Sequence, residues 1–346
     1  MHKLITPAYL PFLDIFSEEK PEFLLPFFES KTMQRLSDIS QNCGTEYCKF
    51  FEYTFNESRL EHSLWVALII WHFTKDKKQT LAGFFHDISN TVFSHVGDYL
   101  LWDKENQESS EQYTTKLITE DEVIMRELKK LGITIEEIED YKIYTIADNP
   151  GPQLSSDRLE YTLSSGSRLW NMELAELKEM YDDLEIFTNE KQEQEIWFKT
   201  KELWEKFWLL SLQNDSGCFS SYESASSMSF LSEILAYILK QKMIKPMDLY
   251  TFTDSLIISM IENSKDLKLL EMWNFYKNLS SYKIEKIKPK TNKYFVTSKV
   301  KRRFIDPLIQ TNTWPKRLSE LSPIFVDKRD YHLGQREEWV RLDYEI

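Results

Sequence analysis

The residues best suited to do chemistry in this chain are two histidines and two aspartates. Four of the six histidines lie between Arg59 and Asp98, and one of these, His86, is followed directly by Asp87. The pair stands at the end of an apolar run, Leu81, Ala82, Gly83, Phe84 and Phe85. An imidazole and a carboxylate held beside a core are costly unless a partner satisfies them, and a metal ion satisfies both at once. His62 precedes the pair on a separate segment, and Asp157 opens a later one. Two imidazoles and two carboxylates form a mixed nitrogen and oxygen set. It suits one divalent ion such as manganese, iron, nickel, zinc or magnesium, and does not choose among them. An ion that accepts six ligands keeps positions for water and a substrate oxygen, and it lowers the pKa of bound water towards neutrality.

Other groups gather around this set at helical spacing. Arg59 lies one turn before His62, so both share a face. His95 and Asp98 are likewise one turn apart, and the carboxylate can hold the imidazole or raise its pKa. Arg158 and Tyr161 follow Asp157. Two arginines, a tyrosine and a His–Asp pair around a metal fit phosphate chemistry: arginine neutralises phosphate oxygens, and His95 can protonate a leaving oxygen. Taken singly, Arg59 and Arg158 read as surface salt bridges and Tyr161 as core. His2, His72 and His332 read as structural histidines. The joint pattern lifts the first set above that reading.

The elements that must position these groups are mostly helical. Pro21 is expected to open a helix running to about Cys43, with Gly44 as its stop. The aromatic stretch 47–55 reads as a strand or ribbon. Ser58 with Glu61 makes a capping box for a helix reaching about Phe73. Further helices are expected to close at Asp87 and to span 91–102, 113–131, 134–147 and 154–163, the last ended by Ser164-Ser165-Gly166. Residues 103–112 read as a polar loop, and Asn149-Pro150-Gly151-Pro152 as a breaker. From 168 to 280 the pattern is almost wholly helical, with long amphipathic segments near 189–212, 224–243 and 247–260. The aromatics Trp197, Trp204, Phe207 and Trp208 read as core or interface. Beyond Ser281 the texture is basic and strand-like. The expected division is an N-terminal helix and β-ribbon (1–57), a metal-site core (58–165), a helical extension (166–281) and a small mixed α/β tail (282–346). The dense basic run Lys301-Arg302-Arg303 reads as a solvated strand or an intersubunit salt bridge, with binding of an anionic effector as a lesser alternative.

Composition narrows the function. The chain has 346 residues and a formal net charge of -13, a surface that repels a long polyanion and disfavours nucleic acid as partner. A small anionic substrate stays compatible with a locally basic site. Only 8 glycines argue against a glycine-looped nucleotide fold. Three cysteines, Cys43, Cys48 and Cys218, are too few for a structural zinc site and read as free thiols in a reducing compartment. The start, MHKLITPAYLPFLDIF, has no basic stretch leading into a long apolar one, so no signal peptide is expected. The longest apolar run, 64–73, is broken by His72 and falls short of the roughly 20 residues that span a bilayer. A soluble, cytoplasmic protein without a membrane partner is expected.

At these residues the chain resembles the HD-domain superfamily of metal-dependent phosphohydrolases, and within it the branch containing the deoxynucleoside triphosphate triphosphohydrolases and their shorter, uncharacterised relatives. The matching pieces are MQRLSDISQNCG (33–44), SRLEHSLWVA (58–67), LAGFFHDISNTVFSH (81–95), SSDRLEYTL (155–163) and KRRFIDPLI (301–309). The resemblance implies a mainly α fold, an HD-domain helical bundle with small β-elements. It places His62, His86, Asp87 and Asp157 on the single-metal ligand positions and His95 and Asp98 on the catalytic pair. Arg59, Arg158 and Tyr161 fall on positions lining the phosphate and sugar part of the site. It also makes a homo-oligomer an available state. Three positions depart from the triphosphohydrolase pattern. Asn90 stands where a phosphate-facing histidine is expected, Ser110-Glu111 where a His-Glu pair is, and Ser165 where an arginine grips phosphate. A smaller phosphoester, such as a nucleoside monophosphate or cyclic nucleotide, is then as compatible as a triphosphate. A dinuclear centre is disfavoured, because between 88 and 156 the only histidine is His95. Two other readings follow from the same residues: a nucleotide-binding regulator with little turnover, and a helical partner-binding protein using the aromatic stripe and the basic tail.

Overall fold

The computed structural model describes residues 5, 7, 10–105, 112–309, 311, 314–335 and 337–345. Among them are sixteen α-helices and seven short strands, the mainly α architecture with small β-elements expected. The fold is built round one helix, Arg59–Thr74. The side chain of Ser58 accepts from the Glu61 amide, and the Glu61 carboxylate accepts from the Ser58 backbone, so the capping box forms as read. Every residue from Arg59 to Trp71 is buried. A helix apolar on all sides belongs at the centre of a bundle, and the run from Leu64 to Trp71 is of that kind.

The chain reverses at Lys75, which takes a left-handed conformation (φ 53°). Asp76 then caps the Lys77–Phe85 helix through the Lys78 and Gln79 amides. The two helices pack closely because Gly83 has no side chain: a Cβ there would overlap Ile70 Cδ1. The Ser156–Trp170 helix packs on the same central helix from another side.

Several expected elements differ. The single helix from Pro21 is broken into Leu25–Phe28, Lys31–Arg35 and 3-10 turns; Ser30 interrupts it, capping the Met33 amide with its side chain. The 47–55 ribbon is absent. Its amides pair outside any strand, Lys49 with the Leu279 carbonyl and Thr54 with that of Arg168, and Phe50 packs on Tyr282. The 91–102 helix is reduced to Val96–Leu100. Residues before it form turns with Phe93 and Ser94 at positive φ, pinned by Asp254, which accepts from the Phe93 amide, and by Arg35, which donates to the Ile88 and Asn90 carbonyls. Asp121 splits 113–131 into Thr114–Glu120 and Glu122–Leu131 by capping the second piece. The 134–147 stretch forms 3-10 turns at Ile135–Glu137 and Tyr141–Ile143. The expected stop at 164–166 does not occur. The helix continues to Trp170 because Ser164, Ser165 and Gly166 are all buried, with Leu210 and Met172 packed close over Gly166.

Within the span read as wholly helical lies an antiparallel hairpin, β1 (Leu184–Thr188) and β2 (Gln194–Phe198). It joins β5 (Leu308–Ile309) and β6 (Lys316–Arg317) in a sheet ordered β1-β2-β5-β6. Trp197 is therefore a buried strand residue, whereas Trp204, Phe207 and Trp208 are buried on the Lys201–Asn214 helix. The tail is mixed, as expected: β3 (Lys283–Glu285), β7 (Trp339–Glu345) and β4 (Lys293–Thr297) form a second sheet in that order. Tyr294 and Tyr344 pack edge-on to Phe230 of the Tyr222–Lys240 helix. One cluster of buried apolar side chains extends from Ile5 to Tyr344. Part of the 103–112 loop, including Ser110 and Glu111, lies outside the described residues.

Candidate metal centre

His62 projects from the central helix, and His86 is the residue just past the Lys77–Phe85 helix. Their Nε2 atoms face each other at 3.2 Å. Asp87 Oδ2 lies 3.7 Å from His62 Nε2 and 3.5 Å from His86 Nε2. Asp157, in the first turn of the Ser156–Trp170 helix, brings Oδ1 to 3.2 Å and 3.7 Å of the same two atoms. The fold thus brings together all four side chains from three separate segments.

The chemistry of this donor set fits a cation. His86 Nδ1 donates to the Gly83 carbonyl at 2.7 Å, and His62 Nδ1 is bonded to the buried carboxylate of Glu160. With both Nδ1 atoms occupied, the two Nε2 atoms turn to one another and to two carboxylate oxygens, an arrangement that calls for a positive charge, a proton or a metal ion, between them. Donors ~2.0–2.2 Å from one ion lie about this far apart. His62, His86 and Asp87 alone already form a buried group able to hold a metal ion. Burial opposes a charge on His62, yet the Glu160 carboxylate and the hydrogen bond that Asp157 accepts raise its pKa well above the usual imidazole value. Burial would raise Asp87, but Arg59 and the two imidazoles hold it far below the carboxylate range. Asp157 is lowered in the same way, burial being overcome by His62 and His86.

The groups expected to handle substrate line one cavity of about 750 Å³ that opens over this centre. Arg59 Nη1 donates to Asp87 at 2.7 Å, and its Nε donates to Ser94 Oγ. His95 stands just before the short Val96–Leu100 helix and lines the cavity, with its Nδ1 2.8 Å from the buried Asp98. Burial lowers the His95 pKa, and Asp98 partly offsets this. Arg158 also lines the cavity, yet its guanidinium is engaged by Asp148 at 3.0 Å and by Asn149. Tyr161 sits edge-on to Phe219, and burial pushes its hydroxyl up to about 12.

Four features were not found from sequence. Glu160 is one turn beyond Asp157 and buttresses His62; an acidic residue inside the apolar LEY segment was the available signal. Asp148 and Asn149 hold Arg158. Arg168, one turn past Ser165 on the same helix, reaches the cavity and donates to Ser165 Oγ at 2.8 Å. A cation therefore stands near Ser165, the position where the resemblance led us to look for an arginine. Lastly, Lys301, Arg302 and Arg303 form a cavity wall rather than a solvated strand. Of the histidines set aside as structural, His332 is buried and pairs with Asp215 at 2.7 Å, His72 is exposed beside Tyr181, and His2 lies outside the described residues. All three cysteines are free and buried.

No protein-family model matches the chain. An uncharacterised protein, YdhJ of Bacillus subtilis (strain 168), is 32% identical over 157 residues, 45% of this chain and 47% of the relative. A protein of the fungus Cordyceps militaris named metal-dependent phosphohydrolase cns2 is 26% identical over 176 residues, 50% of each chain. The chain spans about half the length of the curated relatives it matches. Among solved structures, a hypothetical protein from Aquifex aeolicus superposes with a TM-score of 0.64, at 18% identity, over 93% of this chain and 92% of that one; that likeness carries the fold. Neither curated relative is named as a triphosphohydrolase. Among the described residues no helix is long and apolar enough to cross a membrane.

Proposed function

We propose that this chain is a single-metal HD-type phosphohydrolase that cleaves a nucleotide or a related phosphoester. The observation that carries the reading is the convergence of His62, His86, Asp87 and Asp157 at the floor of a cavity lined by cations. The relative named as a metal-dependent phosphohydrolase supports hydrolysis in general terms. A divalent ion held by these four residues supplies Lewis-acid activation of water and charge neutralisation at phosphorus.

The chain's own residues do the rest. Arg59 and Arg168 offset charge on the phosphate oxygens. His95, whose pKa burial lowers, accepts the proton of the attacking water and returns it to the oxygen that leaves phosphorus. Asp98 fixes the ring so that its Nε2 is the atom that exchanges the proton. A cavity of this volume is of the size that encloses a nucleotide-like ligand. Elemental analysis should find about one divalent ion per chain. A phosphoester panel assayed with manganese restored should then give turnover that Asp87→Ala abolishes. A metal-free protein, inert on that panel, would end the proposal. Strong thermal stabilisation by a nucleotide that stays intact would instead favour the regulator.

A further inference from the structure

Two stretches that line the cavity share one anchor behind it. Gln41, Asn42 and Cys43 form part of one wall, and His95 stands on another. Asp254, the first residue of the Asp254–Glu262 helix, is buried and lies outside the cavity lining. Its Oδ1 accepts from the Phe93 amide at 2.6 Å, and its Oδ2 accepts from the Ser40 amide at 2.9 Å. One carboxylate thus ties the turn that carries His95 to the stretch that leads into Gln41. A second bridge joins the same stretches: Ser94 Oγ donates to the Ser40 carbonyl at 2.6 Å and accepts from Arg59 Nε at 3.0 Å. The Arg59 amide in turn donates to the Ile39 carbonyl. Phe93 and Ser94 both sit at positive φ, a conformation that residues other than glycine keep only where the surroundings over-determine it. Burial pushes the Asp254 carboxyl up to about 8, with Glu46 and Asp38 adding to the rise and the two amides opposing it. Arg35 and Tyr47 also feel its charge.

We infer that Asp254 is a positioning residue for proton transfer: through the Phe93 and Ser40 amides it sets where His95 stands relative to Arg59 and the wall formed by Gln41, Asn42 and Cys43. This rests on the phosphohydrolase reading for the part His95 plays, but the bridge itself is open to test without turnover. Burying a carboxylate is costly unless bonds compensate it. Here the compensating bonds go to backbone amides of the two stretches on which the cavity depends. A displacement of ~1 Å at a catalytic group costs up to about 10²-fold in rate even when its cause is remote. Asp254→Asn keeps the shape, but it offers one acceptor oxygen in place of two and turns an NH2 group towards one of the amides. One arm of the bridge is then lost, and the two stretches are no longer held at one spacing.

The test uses the full chain. In the unaltered, metal-free protein, NMR should show the Phe93 and Ser40 amide protons moving together with one midpoint at about 8, the value of Asp254. The His95 ring, which burial makes titrate lower, should follow with a small second step at that midpoint. In Asp254→Asn both effects should vanish and the His95 ring resonances should shift, while manganese affinity, read by chelator competition, stays unchanged. With manganese and adenosine 5′-monophosphate, kcat should fall about tenfold or more with KM little altered. The double variant Asp254→Asn/His95→Ala should lose no more than His95→Ala alone, since residues that act through one another are not additive. Separate midpoints for the two amides, a His95 ring indifferent to Asp254, or additive losses in the double variant would overturn the inference. If the variant does not fold, the shared midpoint and the His95 step in the unaltered protein decide it. Amide and ring responses as expected, in a protein without turnover, would uphold the bridge and remove the phosphohydrolase.

Discussion

His62 and His86 are oriented from behind, one by a buried carboxylate and the other by a backbone carbonyl. Such partners set the tautomer and raise the basicity of a ligating imidazole. Glu160→Gln keeps the shape and removes the charge, and metal affinity should fall roughly 10–100-fold. Competition titration with a chelator reads this directly, and an unchanged affinity would show that Glu160 serves only packing. His95 has a different balance. Burial lowers its pKa and Asp98 raises it, so Asp98→Asn removes the raising influence and must lower the value further. Ring titration by NMR should place His95 below the usual value of about 6.5, and lower still in the variant. His95→Ala should reduce turnover by ~10²–10⁴; a smaller loss would assign proton transfer elsewhere.

At the scale of elements, the loop from Thr91 to Asp98 decides where His95 stands. The sequence pattern reads there as a regular helix over 91–102, with His95 and Asp98 one turn apart. Instead two residues at positive φ turn the chain, and Arg35 and Asp254 satisfy the backbone groups that a helix would have paired. Gly97 makes the turn compact: a Cβ there would overlap Thr91 Oγ1 and stand 3.0 Å from Thr91 Cβ. Gly97→Ala should therefore destabilise by about 1–3 kcal/mol through overpacking. Because the strain falls on the loop that carries His95, turnover should drop by more than the loss of folded protein explains. Chemical denaturation paired with kinetics on the folded fraction checks both parts.

For the whole molecule, the consequence is that metal and fold are linked. The four converging side chains come from the central helix, the segment after the next helix, and a helix about seventy residues on; an unfolded chain holds no such site. Metal that binds only the folded state stabilises it by ~2.7 kcal/mol at a hundredfold excess over Kd. Chelation should lower the unfolding midpoint, manganese should restore it, and His86→Ala should remove the difference. A midpoint indifferent to metal in the unaltered protein would mean that these residues do not hold one. The tail belongs to this scale too. Its sheet packs on the Tyr222–Lys240 helix, its basic triplet reaches the cavity, and the buried apolar cluster runs through it. That places it within the body of the fold.

The sequence by itself determined the central helix and its cap, because Ser58, Glu61 and an unbroken apolar run are local facts that no distant contact reverses. It also named, through the joint spacing of His62, the His86–Asp87 pair and Asp157, the groups that the fold gathers. Tertiary structure decided the rest. The hairpin at 184–198, the missing ribbon at 47–55 and the turn at 91–95 depend on where backbone groups find partners far along the chain. So do the pairing of Glu160 with His62, and of Asp148 with Arg158. The basic triplet is the clearest instance. Three adjacent cations look like a solvated strand until the folded chain turns them inward, because charge pattern records what a side chain is but not which wall it faces.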